Sequence, residues 1–447
     1  MKDIEMAKQI AYESQKCGAR AYFVGGCVRD RLRGQMSGDI DIEIHGLGED
    51  DLVKMLSELG KPLSVGKSFG IYSLAGYGID IALPRTESAT GKGHRDFDIR
   101  TDAFMGTKQA AIRRDFTVNA LMEDVLTGEI TDHFGGLADL RAKVLRHVNE
   151  DSFVEDPLRV LRLAQFASRF GFDVCPDTIA LCKTIDLAPL SSERVWGELQ
   201  KGLMSPKPSV FFETLRLCDA LSPWFDEAAM LIGTKQNTNY HKEGDVWTHT
   251  MMVLDAAAQY RDKTTNPVAF MTSALFHDLG KIVATTEKDG VVHSYNHENE
   301  GLELTKKALF RITNEKAMIR YVLNMCALHM RPHILAGAKS SVKSTNKMFD
   351  SAIAPMDLVY LSLADTDGML PKRDTSEAFS FLTQRLKVFE DVMSKPYVTG
   401  EDLVNAGLKP DENFRDILDY AHKLRLAETD KESALKQVVA YARKKYQ

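Results

Sequence analysis

The chain has 447 residues, of which 44% are hydrophobic, so it can form roughly two to four globular domains with several buried cores. Its formal net charge of -6 argues against a protein that coats nucleic acid over its whole surface. Any nucleic-acid interface therefore has to be a local patch.

The six cysteines are scattered, without a CxxC pair or a dense framework. This usage fits reduced thiols in a cytosol. We find neither a basic-then-apolar leader nor an apolar stretch of about 18 residues, so we expect no secretion signal and no membrane span. The sequence predicts a soluble, cytoplasmic protein.

Strand-like runs alternate with helical patterns in the first part of the chain. A helical pattern covers residues 3–15, and strand-like runs follow at 21–24, 40–44, 72–74 and 79–83. After about residue 140 the patterns are helical almost throughout, with prolines between them. We therefore predict an α+β chain: a head that contains a sheet, followed by mostly helical regions.

A glycine pair precedes the second strand-like run. Because Gly25 and Gly26 lack Cβ atoms, the backbone there can turn sharply and bring its N–H groups close to a phosphate. Arg29, three residues later, can meet the same negative charge. The segment is typical of a phosphate-binding loop.

The strand-like run after the glycines is rich in carboxylates. Side chains two apart share a face of a strand, so Asp39, Asp41 and Glu43 face one way and the isoleucines between them the other. Carboxylates on a strand bind hard cations such as Mg²⁺, and two metals roughly 4 Å apart stabilise the attacking and leaving oxygens of phosphoryl transfer. Asp80, on another apolar strand, can be a third carboxylate and the base for an attacking hydroxyl. Whether Asp80 or Glu43 is that third carboxylate stays open, and an acidic edge strand is the alternative for the aspartates alone.

Two charged segments follow these strands. Residues 84–100 are rich in glycine, charge and turn formers, so we expect a mobile loop beside the strands. Further on, Arg113 and Arg114 can grip triphosphate oxygens, and Asp115 or Asn119 can bond a ribose hydroxyl. In isolation this second segment would more often be a solvated turn.

The segment EDPLRVLR begins with acids and a proline suited to a helix N-terminus, and it places Asp156 and Arg159 on one helix face. A carboxylate that accepts from an exocyclic amine, beside a guanidinium that donates to a ring nitrogen, matches the pattern that cytosine and adenine share. Uracil and guanine present the reverse. The alternative is a helix salt bridge worth about 0.2–0.5 kcal/mol. We add Arg162 and Arg194 to the nucleotide-binding candidates, the latter from a helix opened by a capping serine at Ser192.

Histidines are concentrated in one window: seven of the 12 lie between residues 241 and 333. Imidazole and carboxylate ligands suit a divalent metal with open positions for water, a site that can hydrolyse phosphate esters. A lone histidine would more often be a core or surface residue. The metal can be Ni²⁺, Mn²⁺, Mg²⁺ or Zn²⁺. The candidate ligands are His249, His277, Asp278, His297, His329 and Asp365.

The motifs GGxVRD, DxD, RRDFTxNA, EDPLRxLR and the ER-containing helix together closely resemble the class II tRNA nucleotidyltransferase and poly(A) polymerase family. The resemblance spans roughly residues 15–205. It implies a polymerase-β-like head in which the DxD aspartates bind the catalytic metals and Arg114 and Asp115 hold the nucleotide. It also implies that Asp156 and Arg159 act as an amino-acid template for CTP and ATP.

The string FHDLGK at 276–281, with its flanking ligands, resembles the HD phosphohydrolase superfamily, an all-helical fold. That resemblance implies a metal-dependent phosphatase or phosphodiesterase acting on 2′,3′-cyclic or terminal phosphates. Behind a class II head, the domain resembles bacterial CCA-adding enzymes with an HD module, and residues 398–410 fit their C-terminal region. Asp411 departs from that pattern because a glycine is expected there, which puts the local turn and an RNA backbone contact in doubt.

We therefore expect a template-independent nucleotidyltransferase that adds or repairs the CCA end of tRNA, with an HD phosphohydrolase that cleans damaged 3′ ends. Two alternatives stay open: a poly(A) polymerase, and an RNA-binding scaffold whose sites no longer turn over. Helical HD surfaces can form a homodimer. The expected domains are a nucleotidyltransferase head (1–140), a helical neck that binds RNA and nucleotide (141–235), an HD domain (236–371) and a helical tail (372–447).

Overall fold

The computed structural model describes residues 2–35, 40–66, 70–89, 97–239 and 241–446. The chain divides into two compact units. The first comprises Met1–Ser205 and Val210–Trp224, and the second Pro206–Ser209 and Phe225–Gln447. Among the described helices, none combines the length and the apolarity needed to cross a membrane.

The first unit contains a sheet and the helices around it. Its helices are Lys2–Lys16 (α1), Gly26–Leu32 (α2), Glu49–Leu59 (α3), Thr107–Ile112 (α4), Gly136–Ala142 (α5), Glu150–Val154 (α6), Leu158–Phe170 (α7), Pro176–Cys182 (α8), Ser192–Leu203 (α9) and Ser209–Leu217 (α10). Its strands are Arg20–Val24 (β1), Ile40–His45 (β2), Pro62–Gly66 (β3), Ile71–Leu74 (β4), Ile79–Ala82 (β5), Arg85–Ala89 (β6), Phe97–Thr101 (β7), Met122–Asp124 (β8), Ile130–Thr131 (β9), Val144–Leu145 (β10) and Asp173–Val174 (β11).

The main sheet of the described residues has seven strands in the order β3-β4-β5-β2-β1-β8-β9. β2 and β5 run parallel, whereas β1 pairs antiparallel with both β2 and β8. This mixed sheet, followed by helical regions, confirms the predicted α+β class. The parallel pair matters for the site because it sets Asp41 directly beside Asp80.

The alternation predicted for β2 explains how the sheet is anchored. Ile40, Ile42 and Ile44 are buried together with α1 residues such as Ile10. Burying each isoleucine contributes about 1.5–3 kcal/mol, so a one-residue slip of the strand would be strongly unfavourable. The core therefore fixes which face of β2 carries Asp41.

The expected loop at 84–100 is partly wrong. Its described parts are β6 and β7, which pair antiparallel from Arg85–Thr101 to Ala89–Phe97. Residues 90–96 lie outside the described residues. We expected a loop because the composition of the segment favours turns. Its strands are instead stabilised by pairing with each other, which local sequence alone does not specify.

The second unit is almost entirely helical. Its helices are Asp226–Ala229 (α11), Val246–Ala257 (α12), Pro267–Phe276 (α13), Lys281–Ala284 (α14), His297–Glu300 (α15), Leu302–Ile312 (α16), Lys316–Leu328 (α17), Met330–Gly337 (α18), Val342–Ser351 (α19), Pro355–Asp367 (α20), Ser376–Ser394 (α21), Gly400–Asn405 (α22), Phe414–Leu426 (α23) and Lys431–Tyr446 (α24). One antiparallel hairpin interrupts them, formed by Thr286–Lys288 (β12) and Val291–His293 (β13).

The last three helices share a small apolar core that includes Leu403, Ile417 and Val438. Asp411 lies in the turn before α23. Its carboxylate accepts a hydrogen bond from the backbone N–H of Asn413 at 2.9 Å, and its φ is not among the positive values of the chain. The turn therefore does not require the glycine that the resemblance led us to expect.

Two glycines of α9 provide a test of the packing in the first unit. A Cβ on Gly202 would lie 2.4 Å from Cδ2 of the buried Phe211 ring, whereas one on Gly197 meets nothing within 4 Å. We expect Gly202→Ala to destabilise the protein by about 1–3 kcal/mol through overpacking. Gly197→Ala should be neutral or stabilise it by up to about 1 kcal/mol, because alanine favours a helix. Urea midpoints of the full chain measure both, and equal midpoints would contradict the packing.

Candidate active sites: an arginine-lined cleft and a histidine–aspartate cluster

The carboxylates of the first site are positioned by two parallel strands. Asp41 on β2 and Asp80 on β5 are register partners, so their side chains leave the same face of the sheet. Gly25 has φ +70°, and a Cβ there would lie 3.2 Å from Arg114 Nη1 and 3.8 Å from Asp41 Oδ2. Glycine thus lets the backbone approach both charges. Asp39 lies outside the described residues.

Glu43 has a different role from Asp41. Its side chain is only 2% exposed, and its oxygens lie 2.9 Å from His45 Nε2, 3.1 Å from Arg113 Nη2 and 3.7 Å from Arg114 Nη2. Burial alone would raise the pKa of Glu43, but the His45 hydrogen bond and the two arginines lower it to about 2. Glu43 therefore anchors the arginines, while Asp80 is exposed and can face a ligand.

A cleft of about 540 Å³ in the first unit gathers the predicted nucleotide-binding residues. Its wall holds many more arginines than carboxylates, and such an excess of positive charge suits a triphosphate or a nucleic-acid backbone. Gly25 and Gly26 line the same cleft. The arginines are Arg29, Arg85, Arg113, Arg114, Arg159, Arg162, Arg169 and Arg194, and the carboxylates are Asp41, Asp115 and Asp156.

A chain of hydrogen bonds fixes one wall of the cleft. Arg29 donates from Nε and Nη2 to Asp30, at 2.9 Å each, and from Nη1 to Asn119 Oδ1 at 2.5 Å. Asn119 Nδ2 donates to Asp115 Oδ1 at 2.9 Å, and Arg162 Nε donates to Asp115 Oδ2 at 2.8 Å. Arg29 is only 3% exposed. It therefore holds Asn119 in place, and its contact with a phosphate stays a prediction.

Asp115 is the buried charge at the centre of that chain. Burial by itself raises the pKa of the Asp115 carboxyl, but the charge on Arg162 and the hydrogen bond from Asn119 outweigh it and hold that pKa below its ordinary value. Asp115 is thus ionised at neutral pH, and it orients the amide of Asn119 in the cleft wall.

The predicted template residues lie at the start of α7, Asp156 in the turn before it and Arg159 in its first turn. Arg194 of α9 donates from Nη2 to both carboxylate oxygens of Asp156, at 3.0 Å each. Arg159 donates from Nη1 to the backbone oxygen of Ser152 at 2.6 Å and from Nη2 to that of Arg113 at 2.5 Å. Arg194 therefore contacts Asp156, and the role of both residues in nucleotide binding stays a prediction. Tertiary contacts, rather than helix spacing, set these partners.

The serine that caps α9 is one residue earlier than expected. Ser191 is the N-cap, and its side chain accepts from the backbone N–H of Arg194 at 3.4 Å, whereas Ser192 is the first helical residue. The two adjacent serines offer the same side chain, so sequence could not choose between them.

The second unit brings all six predicted metal ligands together. Asp278 Oδ1 lies 3.1 Å from His297 Nε2 and 3.8 Å from His329 Nε2, and Asp278 Oδ2 lies 3.3 Å from His277 Nε2. His249 Nε2 lies 3.0 Å from Asp365 Oδ1. These residues come from separate helices and the turns after them, namely α12, α13, α15, α17 and α20. Only the folded chain assembles them.

The imidazoles of the cluster share one orientation. The Nδ1 atoms of His277, His297 and His329 lie 2.9, 2.8 and 2.7 Å from the backbone oxygens of Ala274, Ser294 and Cys326. His249 Nδ1 lies 3.0 Å from Glu243 Oε1. In His277, His297 and His329, donation from Nδ1 leaves Nε2 as the lone-pair nitrogen that faces the carboxylates, which is how metal-binding histidines are usually held.

The donor set fits a divalent metal. The His277 Nε2 atom is buried and has no hydrogen-bond partner in the described part of the chain. Two carboxylates and four imidazoles supply ligands of the types that first-row metals prefer. Burial alone would raise the pKa of the Asp278 carboxyl, but Lys281 and His277 hold it well below its usual range. The ligands do not identify the metal.

Sequence reasoning missed three polar neighbours of the cluster. Lys281 Nζ lies 2.7 Å from Asp278 Oδ2, and His333 Nε2 lies 2.9 Å from Asp365 Oδ2. Glu243 supports His249. Lys281 belongs to the FHDLGK string and His333 to the histidine-rich window, so both had a signal. Glu243 had none, because its contact with His249 arises from a turn before α12.

Three segments of the chain match family models. Residues 21–146 match the poly A polymerase head domain, residues 171–231 match the probable RNA and SrmB-binding site of polymerase A, and residues 246–367 match the HD domain. The fold and the two sites thus define a nucleotidyltransferase head joined to an RNA-binding region and an HD domain.

Curated relatives give the family. The chain is 39% identical over 325 residues to the multifunctional CCA protein of Dechloromonas aromatica (strain RCB), covering 72% of this chain and 76% of that protein. It is 33% identical over 423 residues to the multifunctional CCA protein of Pasteurella multocida (strain Pm70), covering 92% and 97%. The chain belongs to the family of multifunctional CCA proteins, which are CCA-adding nucleotidyltransferases with an HD domain.

Solved structures with low sequence identity share the fold. The CCA-adding enzyme of Thermotoga maritima, solved with tRNA, aligns over 98% of this chain and 95% of its own, with a TM-score of 0.65 and 19% identity. A CCA-adding enzyme solved with ATP aligns over 99% and 94%, with a TM-score of 0.69 and 18% identity. The architecture is therefore conserved well beyond the sequence.

The hydrogen bonds of Asp115 predict separate effects on stability and binding. We expect Asp115→Asn to destabilise the protein by about 2–3 kcal/mol at neutral pH, because it leaves Arg162, which is 34% exposed, without its charge partner. It should also weaken ATP and CTP binding about tenfold. Asp139→Asn is the matched control, because Asp139 is equally buried and pairs with Arg146 outside the cleft. It should cost stability and leave nucleotide binding unchanged.

The same variant has a predictable pH dependence. Because the folded pKa of Asp115 is lowered from the ordinary 3.8, its stabilisation is complete above that pH and is lost as the pH falls below it. Urea midpoints of the wild type and Asp115→Asn should therefore differ by a constant amount from pH 7 down to about 4 and converge only as the pH falls below 3.8. A gap that stays constant well below pH 3.8 would contradict the charge pairing.

Proposed function

We propose that the arginine-lined cleft adds CCA to the 3′ end of tRNA from CTP and ATP. The observation that carries this proposal is the placement of Asp41, Asp115 and Asp156 in one strongly basic cleft. Solved enzymes of the same fold hold tRNA or ATP. The basic wall supplies the local patch for RNA that the net charge of the chain requires.

In this proposal the aspartates of the sheet hold Mg²⁺. Asp41 and Asp80 fit the ion because their carboxylates lie side by side on a rigid parallel pair, and Asp39 would join them. Bound Mg²⁺ would stabilise the negative charge that develops on the phosphate oxygens. The pairing of β2 with β5 and the exposure of Asp80 support this assignment.

The reaction forms a bond between the terminal ribose oxygen and the α-phosphorus of the nucleotide. The bond from that phosphorus to the oxygen bridging to the β-phosphate breaks, and pyrophosphate leaves. Asp80 takes the hydroxyl proton. Arg113 and Arg114, held by Glu43, bind the triphosphate oxygens, and Asn119, held by Asp115, faces the ribose.

Base choice rests on Asp156 and Arg159. The Asp156 carboxylate accepts from the exocyclic amine of cytosine or adenine, and the Arg159 guanidinium donates to the adjacent ring nitrogen. In the structure Arg194 and two backbone carbonyls hold these groups. A base that enters the cleft therefore has to replace some of these contacts. Base selection then depends on Asp156 and Arg159 exchanging their protein partners for the base.

The HD cluster is proposed to hydrolyse 2′,3′-cyclic or terminal phosphates at damaged 3′ ends. The six ligands would hold a divalent cation, which supplies Lewis-acid polarisation of the phosphate. Water adds to phosphorus, the bond to the ribose oxygen breaks, and the water proton passes to that oxygen. Lys281 adds positive charge beside Asp278.

Two further points belong to this proposal. We place the protein in the cytoplasm, in keeping with six free thiols; fractionation of cells that express the tagged chain tests this. We also propose a homodimer through the HD unit, where Phe310 and Ile334 are exposed apolar residues. Sedimentation of the full chain that shows only monomer at micromolar concentration would exclude the dimer.

The direct test uses tRNAs that end before CCA, after C and after CC. We expect the purified chain with Mg²⁺, CTP and ATP to complete each to CCA and stop, as read by sequencing the products. Addition of A residues alone would establish the poly(A) polymerase instead. A chain that neither adds nucleotides nor binds them would support the RNA-binding scaffold instead.

Variants should separate the two sites. Asp41→Ala should reduce CCA addition by at least about a hundredfold and leave phosphohydrolase activity unchanged, because it removes a proposed metal ligand of the head only. His277→Ala should do the converse and lower the content of transition metal measured by mass spectrometry. The same holds for Asp39→Ala as for Asp41→Ala. Loss of both activities from either change would contradict two independent sites.

A further inference from the structure

A cavity of about 400 Å³ opens beside the histidine–aspartate cluster. Its size falls in the range of roughly 300–1,000 Å³ that is typical of small-ligand sites. The predicted metal ligands Asp278 and Asp365 line it, together with the cations Lys281 and Arg373. His293 and Tyr295 line it as well. The cavity therefore combines a place for phosphate with an aromatic surface.

The two aromatic side chains lining the cavity are stacked on each other. The rings of His293 and Tyr295 are stacked, with centroids 5.0 Å apart and planes inclined by 12°. Tyr295 is 76% exposed, far more than a tyrosine that serves the core. A stacked and exposed pair of rings offers a π-face on which a planar base can lie.

The rings are tied to the cluster by short connections. His293 ends β13, and the next residue, Ser294, contributes its backbone oxygen to the contact with His297 Nδ1 at 2.8 Å. The Ser294 hydroxyl also pairs with the hydroxyl of Thr285 at 2.8 Å. Tyr295 precedes the ligand His297 by only two residues. The distance from the ring pair to the cluster is therefore set by an anchored segment.

We propose that the His293–Tyr295 pair is a nucleobase platform, on which the terminal base of an RNA 3′ end or of a nucleotide stacks while its phosphate lies at the cluster. The inference rests on the proposed phosphohydrolase function and names the residues that bind the base of its substrate. Stacking does not distinguish the bases, because every base has a π-face. The platform therefore serves any 3′-terminal nucleotide.

The proposal predicts a loss that depends on the base. With adenosine 2′,3′-cyclic phosphate as substrate, Tyr295→Ala should raise KM about tenfold and change kcat little, because stacking contributes mainly to binding. Tyr295→Phe keeps the ring and should behave like the wild type. With glycerol 2-phosphate, which has no base, neither variant should differ from the wild type. Phe104→Ala, which removes an equally exposed aromatic residue of the first unit, is the matched control.

A binding measurement keeps this test separate from the proposed hydrolysis. Titration of the full chain with adenosine 2′-monophosphate should show a component that is about tenfold weaker in Tyr295→Ala and intact in Tyr295→Phe. If no phosphate ester is hydrolysed, the phosphohydrolase proposal fails, while this titration still decides the platform. Equal binding by the wild type and Tyr295→Ala, or equal losses with both substrates, would overturn the platform.

Discussion

Both sites depend on the pairing of charges that the fold has buried. A carboxylate taken out of water is costly unless opposite charge and hydrogen bonds replace its hydration. In the head, arginines supply the replacement: Arg162 pairs with Asp115, and Arg113 and Arg114 pair with Glu43. In the second unit imidazoles and Lys281 surround Asp278. The walls of each site are therefore organised without a ligand.

The pairing divides the arginines of the cleft into two kinds. Arg29 is buried and donates to Asp30 and Asn119, so it holds the wall in shape. Arg194 is partly exposed and shares the carboxylate of Asp156, a contact that a base can exchange for its own. In the proposed function, a rigid support beside exchangeable partners lets one cleft present the same hydrogen-bonding pattern to both C and A.

The two sites also differ in the metal ligands that they present. The head presents carboxylates from parallel strands, which suits a hard cation and in-line transfer to a hydroxyl. The cluster presents imidazoles from four helices or the turns that end them, and three of these imidazoles have Nδ1 held by a backbone oxygen, which suits a first-row metal. The ring pair at the cavity mouth adds a place for a base. Together they connect synthesis of an RNA end with the removal of phosphate from such an end.

The sequence by itself indicated candidate residues for both sites and the α+β class of the fold. The Asp41 strand, the glycine pair and the FHDLGK string carry local signals, because strand periodicity and ligand chemistry are properties of neighbouring residues. The tertiary structure alone decided the partners. That Arg194 holds Asp156, that Glu43 anchors arginines while Asp80 stays exposed, and that β6 pairs with β7 all depend on residues distant in sequence. Such contacts follow from the packing of whole elements, which local patterns do not encode.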